Sequence, residues 1–227
     1  MRPFKIEIFS DVVCPWCFIG KRRIEAAMQY YKEAHPGERL PEIVWMPFLL
    51  NTAIPKEGLD RKKYMQSKFP EKADPAAPAP DVIKAGQSVG IDYHFERIER
   101  QPYVIDAHRL IRFAEHRDAM DAVVEALFQA YFVEGKDISR HELLLDIARQ
   151  SGMDADEVSA YLATEEDVEW VKEQAKQARD LGIDTVPFLV LNGRRGESAI
   201  QSVEALVSLL EWSRRDAARP KWLPSIF

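Results

Sequence analysis

The chain is poor in cysteine: Cys14 and Cys17 are the only two thiols in 227 residues. No second cysteine pair and no nearby His-x(3–5)-His motif accompanies them, so no metal site is expected; zinc wants four ligands. No apolar run is long enough to cross a bilayer, and residues 1–7 lack the apolar region of a signal peptide. Basic excess is also absent. The formal net charge is −6, which argues against nucleic acid as a partner and fits a soluble protein. The expected location is the cytoplasm, where a reducing medium keeps a thiol pair mostly as dithiol.

The cysteines are not needed as staples. A chain of 227 residues buries a sizeable core without them. A Cys14–Cys17 bridge closes a very short loop and removes little unfolded-state entropy. What remains is reactivity. Cys14-Pro15-Trp16-Cys17 follows an apolar run at 4–10 and opens a long helical pattern, a spacing suited to thiol–disulfide exchange. Two ordinary thiols falling together is the bland alternative.

Residues 4–10 predict a buried strand and 15–34 a helix, with proline in the first turn where its missing N–H costs nothing. Cys17, Gly20, Ile24, Ala27, Met28 and Tyr31 share one side. That turns Cys17 inward and leaves Cys14 at an exposed helix start. A second strand at 42–50 follows, so the first two strands should be parallel with a right-handed crossover. A short helix is expected at 61–69, then a proline–alanine connector at 70–80. Residues 81–163 read as helices without a strand, at 82–89, 105–116, 120–133, one opened by a capping box at Ser139-Arg140-His141-Glu142, and one started by Asp154. Thr164 to Asp167 should cap a helix running to Leu181, with Gly182 as its stop. A strand at 185–191 with an early proline, an Asn192-Gly193 hairpin turn, a partner strand at 194–200 and a last helix from Val203 complete the pattern. The apolar tail, 220–227, would dock on the body or on a second subunit.

This order resembles the thioredoxin fold with the helical insertion of the DsbA group, and within it the FrnE-like oxidoreductases. The resemblance is carried by the blocks at 10–20 (Ser10-Asp11-Val12-Val13-Cys14-Pro15-Trp16-Cys17-Phe18-Ile19-Gly20), 106–110 (Asp106-Ala107-His108-Arg109-Leu110), 127–138 and 186–193. It extends over about 4–212. Relatives often carry asparagine a few residues before the Asp106 block, where this chain has Gln101-Pro102-Tyr103-Val104. They also carry a small, glycine-containing Ser-Gly-Ala-type stretch where this chain has Gly196-Glu197-Ser198-Ala199-Ile200. The resemblance implies an α/β, thioredoxin-like domain (1–50 and 164–227) interrupted by an inserted all-helical domain (51–163).

Cys14, at a helix N-terminus that favours an anion, is the expected nucleophile, and Cys17, one turn on, the resolving thiol. Trp16 is either a packed aromatic or a shaper of the exposed surface. By resemblance Val186-Pro187 is a cis bond beside the cysteines whose backbone docks substrate like an added strand. Glu7 is either a buried proton relay, as related folds have in this strand, or a solvent-facing edge residue. His108 is either a packing residue or, because the insertion covers the site in relatives, a substrate contact. Arg194-Arg195 reads as a solvated hairpin end, or else as a seat for an anionic group.

The expected function is a thiol–disulfide oxidoreductase acting on protein or small-molecule disulfides and dithiols. No cofactor is expected beyond the redox pair, with glutathione as a reductant or co-substrate. Recycling would come from an external thiol or oxidant, and a homodimer is compatible with the apolar tail. Two alternatives stand beside it: a glutathione-dependent isomerase or transferase of the 2-hydroxychromene-2-carboxylate isomerase or kappa-class type, and a non-catalytic chaperone-like partner.

Overall fold

The computed structural model describes residues 4–218, apart from 73, 75 and 76; the apolar tail and its proposed docking lie outside the described residues. The first strand, β1 (Lys5–Ser10), buries Ile6 and Ile8 and leads through a tight loop into α1 (Pro15–Ala34). β2 (Glu42–Pro47) pairs parallel with β1, Ile6 opposite Ile43 and Ile8 opposite Trp45. This strand is shorter than the apolar run at 42–50 predicts. Phe48 and Leu49 beyond it stay buried, so apolarity continues into a loop that the sheet does not use.

The chain returns to this sheet only after some 140 residues, as β5 (Phe188–Leu191) and β6 (Arg195–Ser198). The strand order is β2-β1-β5-β6, with β5 antiparallel to β1 and β6 antiparallel to β5. Asn192 and Gly193 turn the hairpin with φ of 54° and 66°, the left-handed pair that a two-residue loop demands. The turn is also a buried knot. The Asn192 side chain accepts from the Lys5 N–H and the Ser213 hydroxyl, and donates to the Ser213 carbonyl. It thereby ties the hairpin to β1 and to the last helix, which spans Val203–Ala218.

Between β2 and β5 lie β3 (Leu59–Asp60), α2 (Arg61–Lys68), α3 (Pro80–Gln87), a 3-10 turn at Phe95–Arg97, β4 (Arg100–Gln101), α4 (Ile105–Ala114) and α5 (Met120–Phe128). A π-helical turn at Gln129–Val133 continues α5, and α6 (His141–Gln150), α7 (Ala155–Leu162) and α8 (Val168–Asp180) follow. β3 and β4 form a small antiparallel pair, which corrects the strandless reading of 81–163. Two-residue strands are too short to carry a period.

Two expected caps are also corrected. Ser139 spends its hydroxyl on the Asp137 carboxylate, and α6 starts at His141 without a side-chain cap. Thr164 closes a turn by donating to the Tyr161 carbonyl, so α8 begins only at Val168. Asp154 does cap α7, accepting from the N–H groups of Asp156 and Glu157.

The helices are held around Arg109 of α4. Its guanidinium is buried and donates to the carbonyls of Glu166, Tyr161 and Thr164 and to the Asp106 carboxylate. Carbonyls at the end of α7 and in the connection to α8, that of Leu162 among them, thus receive a donor from another helix.

Candidate active site

β1 delivers Ser10 and Asp11 to the sheet's edge, and Asp11 shapes the loop that follows. Its carboxylate accepts the Val13 N–H at 3.2 Å and the Leu50 N–H at 2.7 Å. Its carbonyl accepts the Cys14 N–H at 3.0 Å. One buried side chain therefore pins the cysteine loop to the segment leaving β2.

Cys14 occupies the N-cap position of α1, with extended backbone and Pro15 next. A thiolate here faces the unpaired N–H groups of the first turn. The Cys14 thiol points at the Val186 carbonyl, Sγ to O 3.7 Å, and the Val186–Pro187 bond is cis. Pro187 packs directly against Gly20 of α1. Tyr93, from the connection between α3 and β4, donates its hydroxyl to the Pro15 carbonyl at 2.6 Å. Its ring sits in an aromatic cluster with Phe18, Phe95 and Phe132, so the inserted helices are fastened to the start of α1. Burial, reinforced by the two nearby thiol groups, raises the pKa of this phenol.

The sequence places Cys14 at an exposed helix start, and the structure corrects this. Cys14 is 5% exposed because the Val186 loop and the inserted segment close over the helix end. Cys17 is wholly buried. Both cysteines are free thiols. Burial pushes the Cys17 pKa well above the ordinary thiol range, and the hydrogen bond and charge of Cys14 push it further; Ser10 and the Asp11 backbone pull the other way. The two thiols therefore differ in kind: one at a helix end beside a substrate-sized space, the other held protonated behind it.

That space is a cavity of about 380 Å³ over Cys14. Trp16, Ile54, Phe69 and Val82 make apolar walls, and Val186 and Thr185 form the edge beside the thiol. Arg61, Lys68 and Lys72 bring positive charge to it from α2 and the segment beyond. Arg61 is held by a hydrogen bond to the Gln101 side chain, and Lys72 lies 4.4 Å over the Phe69 ring.

Residues 5–211 match the DSBA-like thioredoxin domain. The chain belongs to this family. The DSBA-like chain is 27% identical over 192 residues to the uncharacterised protein YwbO of Bacillus subtilis (strain 168), covering 82% of this chain and 86% of that one. Among solved structures it is similar to a probable DsbA oxidoreductase from Streptomyces coelicolor. That match has a TM-score of 0.81 and 27% identity, and covers 96% of this chain and 93% of the other. The cytosolic disulfide reductase DsbM from Pseudomonas aeruginosa, in its structure with GSH, shares the fold at a TM-score of 0.67 and 16% identity, over 93% of this chain and 99% of that one. The fold is thus the DsbA-like thioredoxin fold, and among the described residues no helix is long and apolar enough to cross a membrane.

Within the DSBA-like fold, Cys14, Trp16 and Val186 meet at the cavity, and Pro187 lies buried against α1. Cys17 lies behind Cys14. Glu7 is elsewhere: half-buried in β1, it pairs with Lys5 at 3.1 Å, three residues or about 10 Å of strand before Ser10. His108 is buried but does not line this cavity; its Nε2 faces Asp11 at 3.8 Å. Arg195 pairs with Glu197 two residues on along β6, and Arg194 reaches Asp216. Three contributors went unassigned in the sequence. Asp11 stands there only as a member of the 10–20 block with no role of its own, Tyr93 carries no local signal, and Arg61 looks like any charge on a short helix.

Proposed function

We propose that this chain is a dithiol–disulfide oxidoreductase whose reaction runs through Cys14 and Cys17, on small disulfides and exposed protein disulfides that carry a carboxylate near the sulfur. The observation that carries this reading is the pairing of a helix-end thiol beside a 380 Å³ cavity with a fully buried, high-pKa thiol one turn behind it. In the reductive direction the Cys14 thiolate attacks one substrate sulfur. The substrate S–S bond breaks, one substrate thiolate leaves, and a Cys14–substrate mixed disulfide forms. Cys17 then loses its proton and attacks Cys14 Sγ. The mixed disulfide breaks, the second substrate thiolate leaves, and the enzyme holds a Cys14–Cys17 disulfide. Two electrons pass from the enzyme dithiol to the substrate, and an external thiol such as glutathione restores the dithiol. With the enzyme disulfide as starting point the same steps reversed oxidise a dithiol.

The Val186 carbonyl supports the docking role. It faces Cys14 and leaves a backbone edge along which an extended substrate can pair. The cationic side formed by Arg61, Lys68 and Lys72 supports the carboxylate preference, and the apolar walls support contact with aliphatic or aromatic groups. Trp16 forms part of that wall. The working compartment is a reducing one, in which an external thiol pool is at hand.

Reduction of a model disulfide protein by dithiothreitol tests the proposal. The wild type should accelerate it, Cys14→Ser should abolish it, and Cys17→Ser should accumulate the mixed disulfide. An inert wild type would sink the reading. Glutathione-dependent isomerisation that survives Cys17→Ser would redirect it to the second enzyme class.

A further inference from the structure

Behind Cys17 lies a second, smaller group of polar atoms that the mechanism above does not use. The His108 side chain is 4% exposed and its Nε2 has no hydrogen-bond partner among the described residues. The Ser10 hydroxyl is likewise buried and unpartnered. Both border one cleft of about 10 Å³, the room of a single water. Ser10 is also the hydroxyl that approaches Cys17 and favours its thiolate, though too loosely for an ordinary hydrogen bond. Two buried, unpaired polar side chains facing one water-sized space are costly, and Ser10 links that space to the resolving thiol.

The charges around His108 suit proton acceptance. Asp11, from the loop after β1, holds a buried carboxylate oxygen 3.8 Å from Nε2. Its oxygens already accept two backbone N–H groups, so it acts as a fixed counter-charge. On α4 itself Arg112 borders the cleft, but it is paired with Glu115 and lies 4.4 Å over the Trp170 ring. β2, α5 and α8 present Trp45 to Pro47, Val124 and Trp170 there, none of them ionisable. An imidazolium formed at His108 would therefore be offset by Asp11 in a site of low dielectric.

We propose that His108 takes the proton of Cys17 during resolution of the mixed disulfide, through the Ser10 hydroxyl and a water in the cleft. The inference rests on the oxidoreductase reading. The S–H bond of Cys17 breaks and its proton passes to Nε2 of the neutral imidazole in the tautomer that carries its hydrogen on Nδ1. The Cys17 electron pair forms the bond to Cys14 Sγ, and the pair of the broken mixed disulfide leaves on the substrate sulfur. His108 acts through Ser10 and water, so it is a positioning residue, with Asp11 holding its charge. In the reverse direction the imidazolium returns the proton to Cys17 as the enzyme disulfide opens.

The test isolates the resolving step. Enzyme loaded at Cys14 with 5-thio-2-nitrobenzoate releases that group when Cys17 attacks, and the release rate is followed by stopped flow between about pH 6 and 9. His108→Gln keeps the size and polarity but not the base. It should slow release roughly 10- to 100-fold at neutral pH, with a deficit that closes as hydroxide takes over. Its thermal midpoint and its Cys14 alkylation rate before loading should be those of the wild type. Release within about twofold of the wild type at neutral pH, or a deficit of constant size at every pH, overturns the relay. Should His108→Gln not fold, Ser10→Ala tests the route from its other end: a deficit that closes at high pH supports it, and unchanged release overturns it. The two readings fail differently. Wild-type release that Cys17→Ser matches removes the oxidoreductase reading, whereas Cys17-dependent release indifferent to His108→Gln removes only the relay.

Discussion

Gly20 and Pro187 meet so closely that a Cβ on Gly20 would lie 2.7 Å from the proline Cγ and 3.3 Å from its Cβ. The contact is what lets the α1 helix and the Val186 loop approach until the Cys14 thiol faces a backbone carbonyl. Gly20→Ala must push the two apart. We expect a loss of about 1–3 kcal/mol, the usual cost of overpacking, seen as a lower thermal midpoint. Disulfide reductase activity should fall further than stability does, since the displaced element carries the docking edge. An unchanged midpoint would show that the loop yields freely.

Arg61 supplies charge to the cavity without touching Cys14. Arg61→Gln should raise KM for oxidised glutathione by about 3- to 10-fold, as expected for a partly exposed ion pair of about 1 kcal/mol, and leave kcat unchanged. An uncharged disulfide such as hydroxyethyl disulfide should be indifferent to the substitution. Added salt should weaken the charged substrate in the wild type and much less in the variant. Equal effects on both substrates would remove the carboxylate preference.

The raised pKa of Cys17, caused first by burial and then by Cys14, makes stability of the reduced protein pH-dependent. Below the unfolded thiol value of about 8.5 both states hold the proton and the contribution is complete. Above it the unfolded chain ionises while the folded one does not, so the unfolded state binds fewer protons and stability falls. The slope approaches about 1.4 kcal/mol per pH unit until the folded pKa is reached. Urea titrations of the reduced wild type at about pH 8, 9 and 9.5 should show this loss relative to Cys17→Ala. Parallel curves for the two proteins would contradict it.

Arg109 is fully buried and donates to four backbone carbonyls and one carboxylate. Lysine keeps the charge but not the planar fork, and leaves carbonyls of the α7–α8 connection unpaired. Arg109→Lys should cost about 2–4 kcal/mol in chemical denaturation. The Cys14 alkylation rate of the folded fraction should not move, because the network joins α4 to the end of α7 and the connection to α8, away from the cysteine loop. A loss below about 0.5 kcal/mol would mean that water satisfies the carbonyls.

Several parts of the site were legible because they are written in neighbouring residues. Cys14 and Cys17 with proline between them, at the junction of an apolar run and a helical period, need no distant partner to be recognised. Asn192-Gly193 states its turn in two letters. Where the reading failed, a nearby rival took the expected bond: Asp137 captured the Ser139 hydroxyl and the Tyr161 carbonyl captured Thr164. The capping signature is present in both places, but a signature records capability and the folded chain chooses among partners.

The sequence by itself determined the order of the helices and of the four strands of the main sheet, the cysteine pair at the start of α1 and the family to which that order belongs. Periodicity and turn chemistry are local, so they survive without coordinates. The tertiary structure decided how the two acids at the ends of this stretch are placed. Glu7 stands in the expected strand, yet it pairs with Lys5, and Asp11 instead ties Val13 to Leu50 and faces His108. It also decided that Cys14 is covered rather than exposed, since the carbonyl it faces lies 172 residues away in the chain. Contacts of that separation depend on how whole elements pack, and no window of sequence contains both partners.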